Sequence, residues 1–336
     1  MPCYPTDLSP SKCHLILDCK GRIIGILVPP PVTPDQWAPV VEATTAAMRA
    51  ARDQMLFPAS ACQHQHGNFP AETDGFAFGG GRQTVGNIKQ RSQGNQWAMD
   101  QLLADPSIIR MATYPVPVFQ TACFQIFSDY HKTKQVLLRK NPHLRNTFAC
   151  SPFTAVTVNL GPVSVSPPHT DGANKADGMC LIGALGDFDP DKGRHLVCWD
   201  YNLVIRFPPG CSILIPSAVV TYSNTPIQEG EERYAIVQYS AGSLFRWVAN
   251  GHQSDLQWRA SATPNDIVQR EKDRRAHCQS ALKKFTRWKD LKVKNFTGRG
   301  RVEVWDEGDV ADFSDSTEDE SEAEKAPLSR KRTSRV

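Results

Sequence analysis

Leu203-Val204-Ile205-Arg206-Phe207-Pro208-Pro209-Gly210-Cys211-Ser212-Ile213-Leu214-Ile215 reads as strand, turn, strand. Two β-branched apolar runs flank a Pro-Pro-Gly corner that supplies a fixed φ and then a residue free to take φ > 0. Outward from this corner the same grammar repeats. Thr154 to Leu160, Gly178 to Leu185, His195 to Trp199 and Arg233 to Tyr239 are short β-rich segments, separated by Gly, Pro and Asp clusters. Many short strands without long helices between them predict a sandwich, barrel or jelly roll rather than a doubly wound sheet.

His169-Thr170-Asp171 follows the first of these strands. An imidazole and a carboxylate two residues apart project together from a strand end, and two histidines with one carboxylate on one face of a metal define a non-haem Fe(II) site. The third ligand is expected later in the chain.

Asn159, His169-x-Asp171-x-x-Asn174, Gly186-Asp187-Phe188-Asp189-Pro190, Leu196-Val197-Cys198-Trp199-Asp200, Arg206-Phe207-Pro208-Pro209-Gly210, Pro216-Ser217-Ala218 and Gly242-Ser243-Leu244-Phe245-Arg246-Trp247, with Gly79-Gly80-Gly81 and Asn87 upstream, resemble the fungal branch of the TET/JBP 2-oxoglutarate- and Fe(II)-dependent dioxygenases. The resemblance runs over roughly residues 75 to 255. It implies an α+β protein, mainly β at its core, with a double-stranded β-helix and flanking helices. It further implies Fe(II) and 2-oxoglutarate as cofactors and oxidation of 5-methylpyrimidine in nucleic acid, DNA favoured over RNA. His169 and Asp171 match the metal pair, Arg233 the arginine that binds the cosubstrate carboxylate, and Asn174 a position that touches the base in some members.

The chain departs from the pattern twice. Where related sequences carry the distal histidine, Ser217-Ala218-Val219-Val220-Thr221-Tyr222-Ser223-Asn224 places Tyr222, a poor ligand for Fe(II) because a phenol must lose a proton of pKa near 10 to bind. The usual Arg-x-Ser is here Arg233-Tyr234-Ala235, which keeps the bidentate cation and removes a hydroxyl donor. Weakened or absent iron binding is the expectation. The alternative function is therefore a catalytically inactive member acting as a nucleic-acid-binding or interaction protein, and a third reading keeps the iron chemistry with another substrate.

The remaining histidines are read as structural: His195 precedes an apolar strand, and His64-Gln65-His66, without a second ligand pair, reads as a polar loop. Gly79-Gly80-Gly81-Arg82 lacks the Gly-Lys-Ser/Thr of a phosphate loop and reads as a turn. Leu15 to Leu17 and Ile23 to Val28 predict a hairpin, followed by a helix from Asp35 to Leu56 capped by Thr33. Further helices are predicted over Asn95 to Leu103, Phe119 to Leu138, with Phe127, Tyr130 and Val136 at roughly helical spacing and the aromatics in the core, and Asp266 to Leu291, capped by Thr263 or Asn265. Positive charges on the last of these, with Phe285 and Trp288 between them, suit either phosphate neutralisation or a solvated face.

The expected organisation is a supporting hairpin and helix over 1–74, the dioxygenase-like domain over 75–255, a basic helical extension over 256–304 and a disordered acidic, then basic, tail over 305–336. The net charge of +3, from 38 basic and 35 acidic residues among 336, conceals that segregation. Ten cysteines in no regular framework, and a polar start, exclude a disulfide-stapled secreted protein and point to reduced thiols in cytosol or nucleus. The basic end, Arg330 to Arg335, is a candidate nuclear-localisation signal. No apolar run is long enough for a membrane span. Oligomeric state is not legible.

Overall fold

The computed structural model describes residues 13–31 and 34–291, with the backbone of 302–303. The chain opens with β1 (Cys13–Leu17), β2 (Ile23–Val28), α1 (Pro34–Gln54), β3 (Gln63–His64), β4 (Gly67–Asn68), β5 (Ala71–Ala77) and β6 (Gly86–Asn87). Four helices follow: α2 (Gln93–Ala104), α3 (Pro106–Thr113), α4 (Val116–Ala122) and α5 (Phe124–Lys140). Then come β7 (Ala155–Asn159), β8 (Cys180–Asp187), β9 (Leu196–Cys198), β10 (Leu203–Ile205), β11 (Ser212–Ile215), β12 (Tyr222–Asn224) and β13 (Glu232–Tyr239). The last elements are α6 (Gly242–Ala249), α7 (Asp255–Ser261), α8 (Pro264–Leu282) and β14 (Val302–Glu303).

Strand order identifies the architecture. A large sheet contains β11-β8-β13-β7, and a small sheet contains β10-β9-β12, extended by the antiparallel bridge of His169 to Tyr222. Counting the His169 segment as a strand, the chain passes large, small, large, small, small, large, small, large. That is the double-stranded β-helix, with every pairing in it antiparallel. The hairpin β1–β2 lengthens the large sheet beyond β11, and β5 lengthens it beyond β7.

The interior between the sheets is filled by Cys180, Ile182 and Ala184 of β8, Leu196, Cys198, Ile205, Phe207, Ile213, Ile215 and Tyr222. Alternate residues of the same large-sheet strands point outward. Leu185, Tyr234 and Ile236 meet Trp37, Met48, Met99, Leu102, Ile108 and Met111 from α1, α2 and α3. Being covered on both faces is why β8 is an unbroken apolar run instead of an alternating one. Each such fully buried side chain contributes about 1.5–3 kcal/mol. At the Pro208-Pro209-Gly210 corner Gly210 takes φ 84°, and a Cβ there would lie 2.8 Å from Trp37 Nε1, which donates to Gly210 O at 3.1 Å. The turn glycine thus also lets α1 close on the barrel.

Two predicted helices are shorter than the sequence suggested. Phe119 to Leu138 is broken at the buried Cys123 (φ −127°, ψ 47°), which lets Phe119 and Phe127 turn onto one aromatic cluster with Tyr130 and Phe153. The helix expected to reach Leu291 ends at Leu282, after which the chain folds back to lay Phe285 and Trp288 on the β1–β2 side of the core. Thr263 is its cap, in a reciprocal box with Asp266. The Gly79–Gly81 stretch is a turn with φ > 0 throughout. Thr33, the acidic segment and the candidate localisation signal lie outside the described residues. No helix among the described residues is long and apolar enough to cross a membrane.

Candidate metal and cosubstrate site

His169 and Asp171 flank the mouth of the barrel where the small sheet ends. His169 N donates to Tyr222 O at 3.1 Å and Tyr222 N to His169 O at 3.0 Å, while Asp171 N donates to Ser217 O at 2.8 Å. The pair therefore hangs from β12 and from the turn after β11 by backbone bonds that position both side chains. His169 Nδ1 lies 2.8 Å from Pro167 O, which requires the proton on Nδ1 and leaves the Nε2 lone pair facing Asp171 Oδ1 at 3.8 Å. This is the tautomer that a ligating imidazole needs.

The third imidazole comes from the wrong direction for the sequence pattern. His66, on the turn between β3 and β4, places Nδ1 3.7 Å from Asp171 Oδ1, with its ring 4.7 Å from that of His169. His66, His169 and Asp171 together offer two nitrogens and one oxygen within 4.8 Å of one another. The segment read as a polar loop thus brings His66 to the His169–Asp171 pair, while the distal position of the sequence pattern is still occupied by Tyr222.

The hairpin is held there for identifiable reasons. Gly67, at φ 133°, passes so close to Val165 O that a Cβ would run into it. His64 Nε2 bonds to Phe69 O at 2.9 Å, its ring packs edge-on against the buried Phe69, and its Nδ1 accepts from His66 N at 3.3 Å. His64 therefore positions His66. Burial lowers the pKa of His66 and, with the nearby His169 and His64, outweighs the opposing pull of Asp171. A neutral ring is the form that can ligate. The alternation of histidines before a glycine was the only sign of this in the sequence, and it carries no information about where a short hairpin docks.

Tyr222 stands beside the site in another role. Its hydroxyl donates to Asp171 Oδ2 at 3.0 Å, its ring lies 4.4 Å from that of His169, and burial, then neighbouring Cys180 and Asp171, raise its pKa well above the ordinary phenol value. A phenol so held is a hydrogen-bond donor to the carboxylate. Asn174 Nδ2 donates to the same Oδ2 at 3.3 Å and to Ser217 Oγ at 3.1 Å. Between them Tyr222 and Asn174 occupy Oδ2 and leave Oδ1 turned to the imidazoles.

Arg233 projects into the barrel from β13, on the same face as Ala235 and opposite to Tyr234. It is 2% exposed, and its Nη1 donates to Ser164 O at 2.6 Å and Asn224 Oδ1 at 3.1 Å. No carboxylate pairs with it among the described residues, and burial lowers its pKa to about 10, so it remains cationic at neutral pH. A donor set of two imidazoles and a carboxylate, beside a buried cation, suits Fe(II) and an anionic chelating cosubstrate.

His195 lies apart from this group, its backbone N donating to Thr225 Oγ1 at 2.9 Å. On α8, Arg270 pairs with Asp255, and Arg274 and Arg275 with Glu271, so part of the basic stripe is neutralised within the fold. Every cysteine of the described residues is a free thiol.

No protein-family model matches the chain, and neither does any curated protein. Solved structures resemble it. NgTET1 in complex with 5mC DNA is 12% identical at a TM-score of 0.46, over 68% of this chain and 76% of that one. A 2OG-Fe(II) oxygenase-family oxidoreductase from Burkholderia pseudomallei is 13% identical at 0.34, over 68% and 95%. A prolyl-4-hydroxylase from Pseudomonas putida is 15% identical at 0.31, over 60% and 86%. The likeness is one of fold. The chemistry of this chain's site follows from its own atoms.

Proposed function

We propose that this protein is a 2-oxoglutarate- and Fe(II)-dependent oxygenase whose metal is held by His66, His169 and Asp171 and whose cosubstrate is anchored by Arg233. The observation that carries this reading is the convergence of His66 on the His169–Asp171 pair, because it supplies the ligand that Tyr222 cannot. The inactive alternative rested on that missing ligand. Iron and 2-oxoglutarate, once bound, would supply the oxidising power to hydroxylate a C–H bond with O₂. The chain's own contribution is positional. His169 keeps its proton on the Pro167 side, Tyr222 and Asn174 aim Asp171, and buried Arg233 offers charge where water does not compete.

The proposed substrate is the methyl group of a 5-methylpyrimidine in nucleic acid, DNA favoured over RNA. It is supported by the motif resemblance set out above. A base in a duplex would have to leave the stack to reach the site, at a cost of a few kcal/mol. Binding to methylated duplex DNA that weakens steeply with salt is the expected signature, and salt-insensitive failure to bind would count against this substrate class.

The metal assignment is tested by anaerobic Fe(II) and 2-oxoglutarate titration, following the weak visible charge-transfer band of the chelate. The parent should develop the band and His66→Ala should lose it. A parent without the band, or a band undiminished in His66→Ala, would overturn the assignment.

A further inference from the structure

Among the described residues, five buried hydrogen-bond donors in one part of the barrel have no partner. They are Nε, Nη1 and Nη2 of Arg194, Nε of Arg233 and Nδ2 of Asn224. Arg194 is fully buried, at 0% exposure, just ahead of β9, where its backbone N faces Pro226 O at 3.4 Å beyond the end of β12. Asn224, on β12, pairs with Leu196 of β9 and accepts from Arg233 Nη1. Arg194 and Asn224 thus come from the small-sheet side and Arg233 from the facing large sheet, and Arg233 is close enough that its charge depresses the pKa of Arg194, after burial itself, to about 9. Phe188 lies beneath the Arg194 guanidinium at 4.9 Å. Glu231, the acid whose charge acts on it, is half-buried and accepts instead from Asp189 N and Gln228 N.

Arg194 also carries a backbone cost. Its φ of 65° lies in the left-handed region that a glycine would occupy freely. A fold that both strains this residue and buries its cation without a partner pays twice at one position. Buried donors without acceptors call for a ligand that only accepts, and two guanidinium groups call for an anion. A metal ion is excluded by sign.

We infer that Arg194, with Arg233 and Asn224, forms a second anchor for a dicarboxylate, gripping the carboxylate of 2-oxoglutarate remote from its keto acid. This rests on the cosubstrate reading above and adds to it a residue that the sequence pattern does not mark. The guanidinium of Arg194 does the work of the hydroxyl absent at Ala235. Because the pocket holds the carboxylate end of the ligand, it acts without metal. Glutarate, which lacks the keto group and cannot chelate, should bind to the metal-free protein.

The test is calorimetric titration of glutarate, and separately of inorganic phosphate, into the metal-free full-length protein and Arg194→Gly, with thermal unfolding of both. Glycine relieves the strain and removes the unpaired charge, so the variant should unfold at a higher temperature than the parent while binding glutarate at least about tenfold more weakly. A merely structural arginine would give the opposite, a lower unfolding temperature. Glutarate binding unchanged in Arg194→Gly, no glutarate binding by the parent, or binding of phosphate in preference to glutarate would each overturn the inference. The iron titration reports independently. A chelate band formed at the same 2-oxoglutarate concentration in parent and Arg194→Gly sinks this proposal and spares the oxygenase, whereas Arg194-dependent glutarate binding without any band sinks the metal assignment alone.

Discussion

Lys175 and Arg194 are both buried cations, yet Lys175 has carboxylates of Asp177 and Asp129 within 3.6 Å, and the guanidinium of Arg194 has no hydrogen-bond partner among the described residues. Lys175 belongs to a closed network. Asp177 bonds to it, Lys284 reaches Asp177 at 2.8 Å and Asp129 at 2.6 Å, and the Phe245 ring lies 4.9 Å from the Lys175 ammonium. That network ties the loop before β8 to α5 and to the chain after α8. The guanidinium of Arg194 and Nε of Arg233 face no acceptor among the described residues. Closed charge is what a fold uses to fix its own segments, and open charge of one sign is what it keeps for a ligand.

The largest effect is expected in the closed network. Asp177→Asn leaves Lys175 buried without its main counter-charge and should destabilise the protein by about 3–5 kcal/mol in chemical denaturation. The pH dependence sharpens this. Burial pushes the Asp177 pKa up, but Lys175 and Lys284 outweigh it and hold it down to about 2. For Lys175 burial wins, and its pKa falls. A carboxylate depressed below its unfolded value stabilises the native state above that value, about pH 4, and the contribution disappears as pH falls toward 2. The parent should lose roughly 2–3 kcal/mol over that window from this group, and Asp177→Asn should lack that component. Equal acid sensitivity in the two proteins would mean that the network is not closed in solution.

His66→Ala inverts the pattern. His66 is half-exposed at a hairpin turn, so unfolding should shift by less than about 1 kcal/mol. Fe(II) affinity should fall by more than about 100-fold, beyond the 10–100-fold typical of groups that only support a ligand. A large loss of stability with little loss of iron would place His66 with the structural histidines.

The difference between the two regions also explains what the sequence disclosed. The strands were legible because each has both its turn residues and its apolar run in one stretch, as at Leu203 to Ile215, and their order follows from the rules of antiparallel packing. His169 and Asp171 were legible because their spacing is local. Tyr222 was visible as a departure, but its conversion to a hydrogen-bond donor on Asp171 depends on burial. His66 was hidden because the groups it meets at the site, His169 and Asp171, are more than 100 residues away and the docking depends on Gly67 clearing Val165. Arg194 was hidden more deeply: nothing in Gly193-Arg194-His195 shows that the chain turns left-handed there or that all three guanidinium nitrogens end up buried. The break at Cys123 and the early end of α8 were missed for a related reason, since helical periodicity continues through both while tertiary packing of Phe119, Phe285 and Trp288 decides otherwise.

Tyr222→Phe probes the boundary between the regions, since it removes one hydroxyl and almost no volume. Asp171 would keep Asn174 on Oδ2 but lose its shorter bond. Fe(II) affinity should drop by about 10–100-fold, with the chelate band still formed at saturation. Complete loss of the band would instead make the hydroxyl a ligand.

Ala235→Ser should have the smallest effect and the sharpest meaning. Ala235 sits two residues from Arg233 on the inward face of β13, opposite Ala184 and 1% exposed, so a serine there restores the hydroxyl of the Arg-x-Ser pattern within the same pocket. If Arg194 already supplies the missing donor, the added hydroxyl is redundant, and glutarate affinity of Ala235→Ser should rise by no more than about threefold, less than one ordinary net hydrogen bond can give. In the Arg194→Gly background the same change should recover a larger part of the lost affinity, so the two substitutions should be non-additive, as neighbours sharing one ligand are. Strict additivity would mean that Arg194 and position 235 do not meet the same carboxylate, and the open charge at Arg194 would then need another ligand.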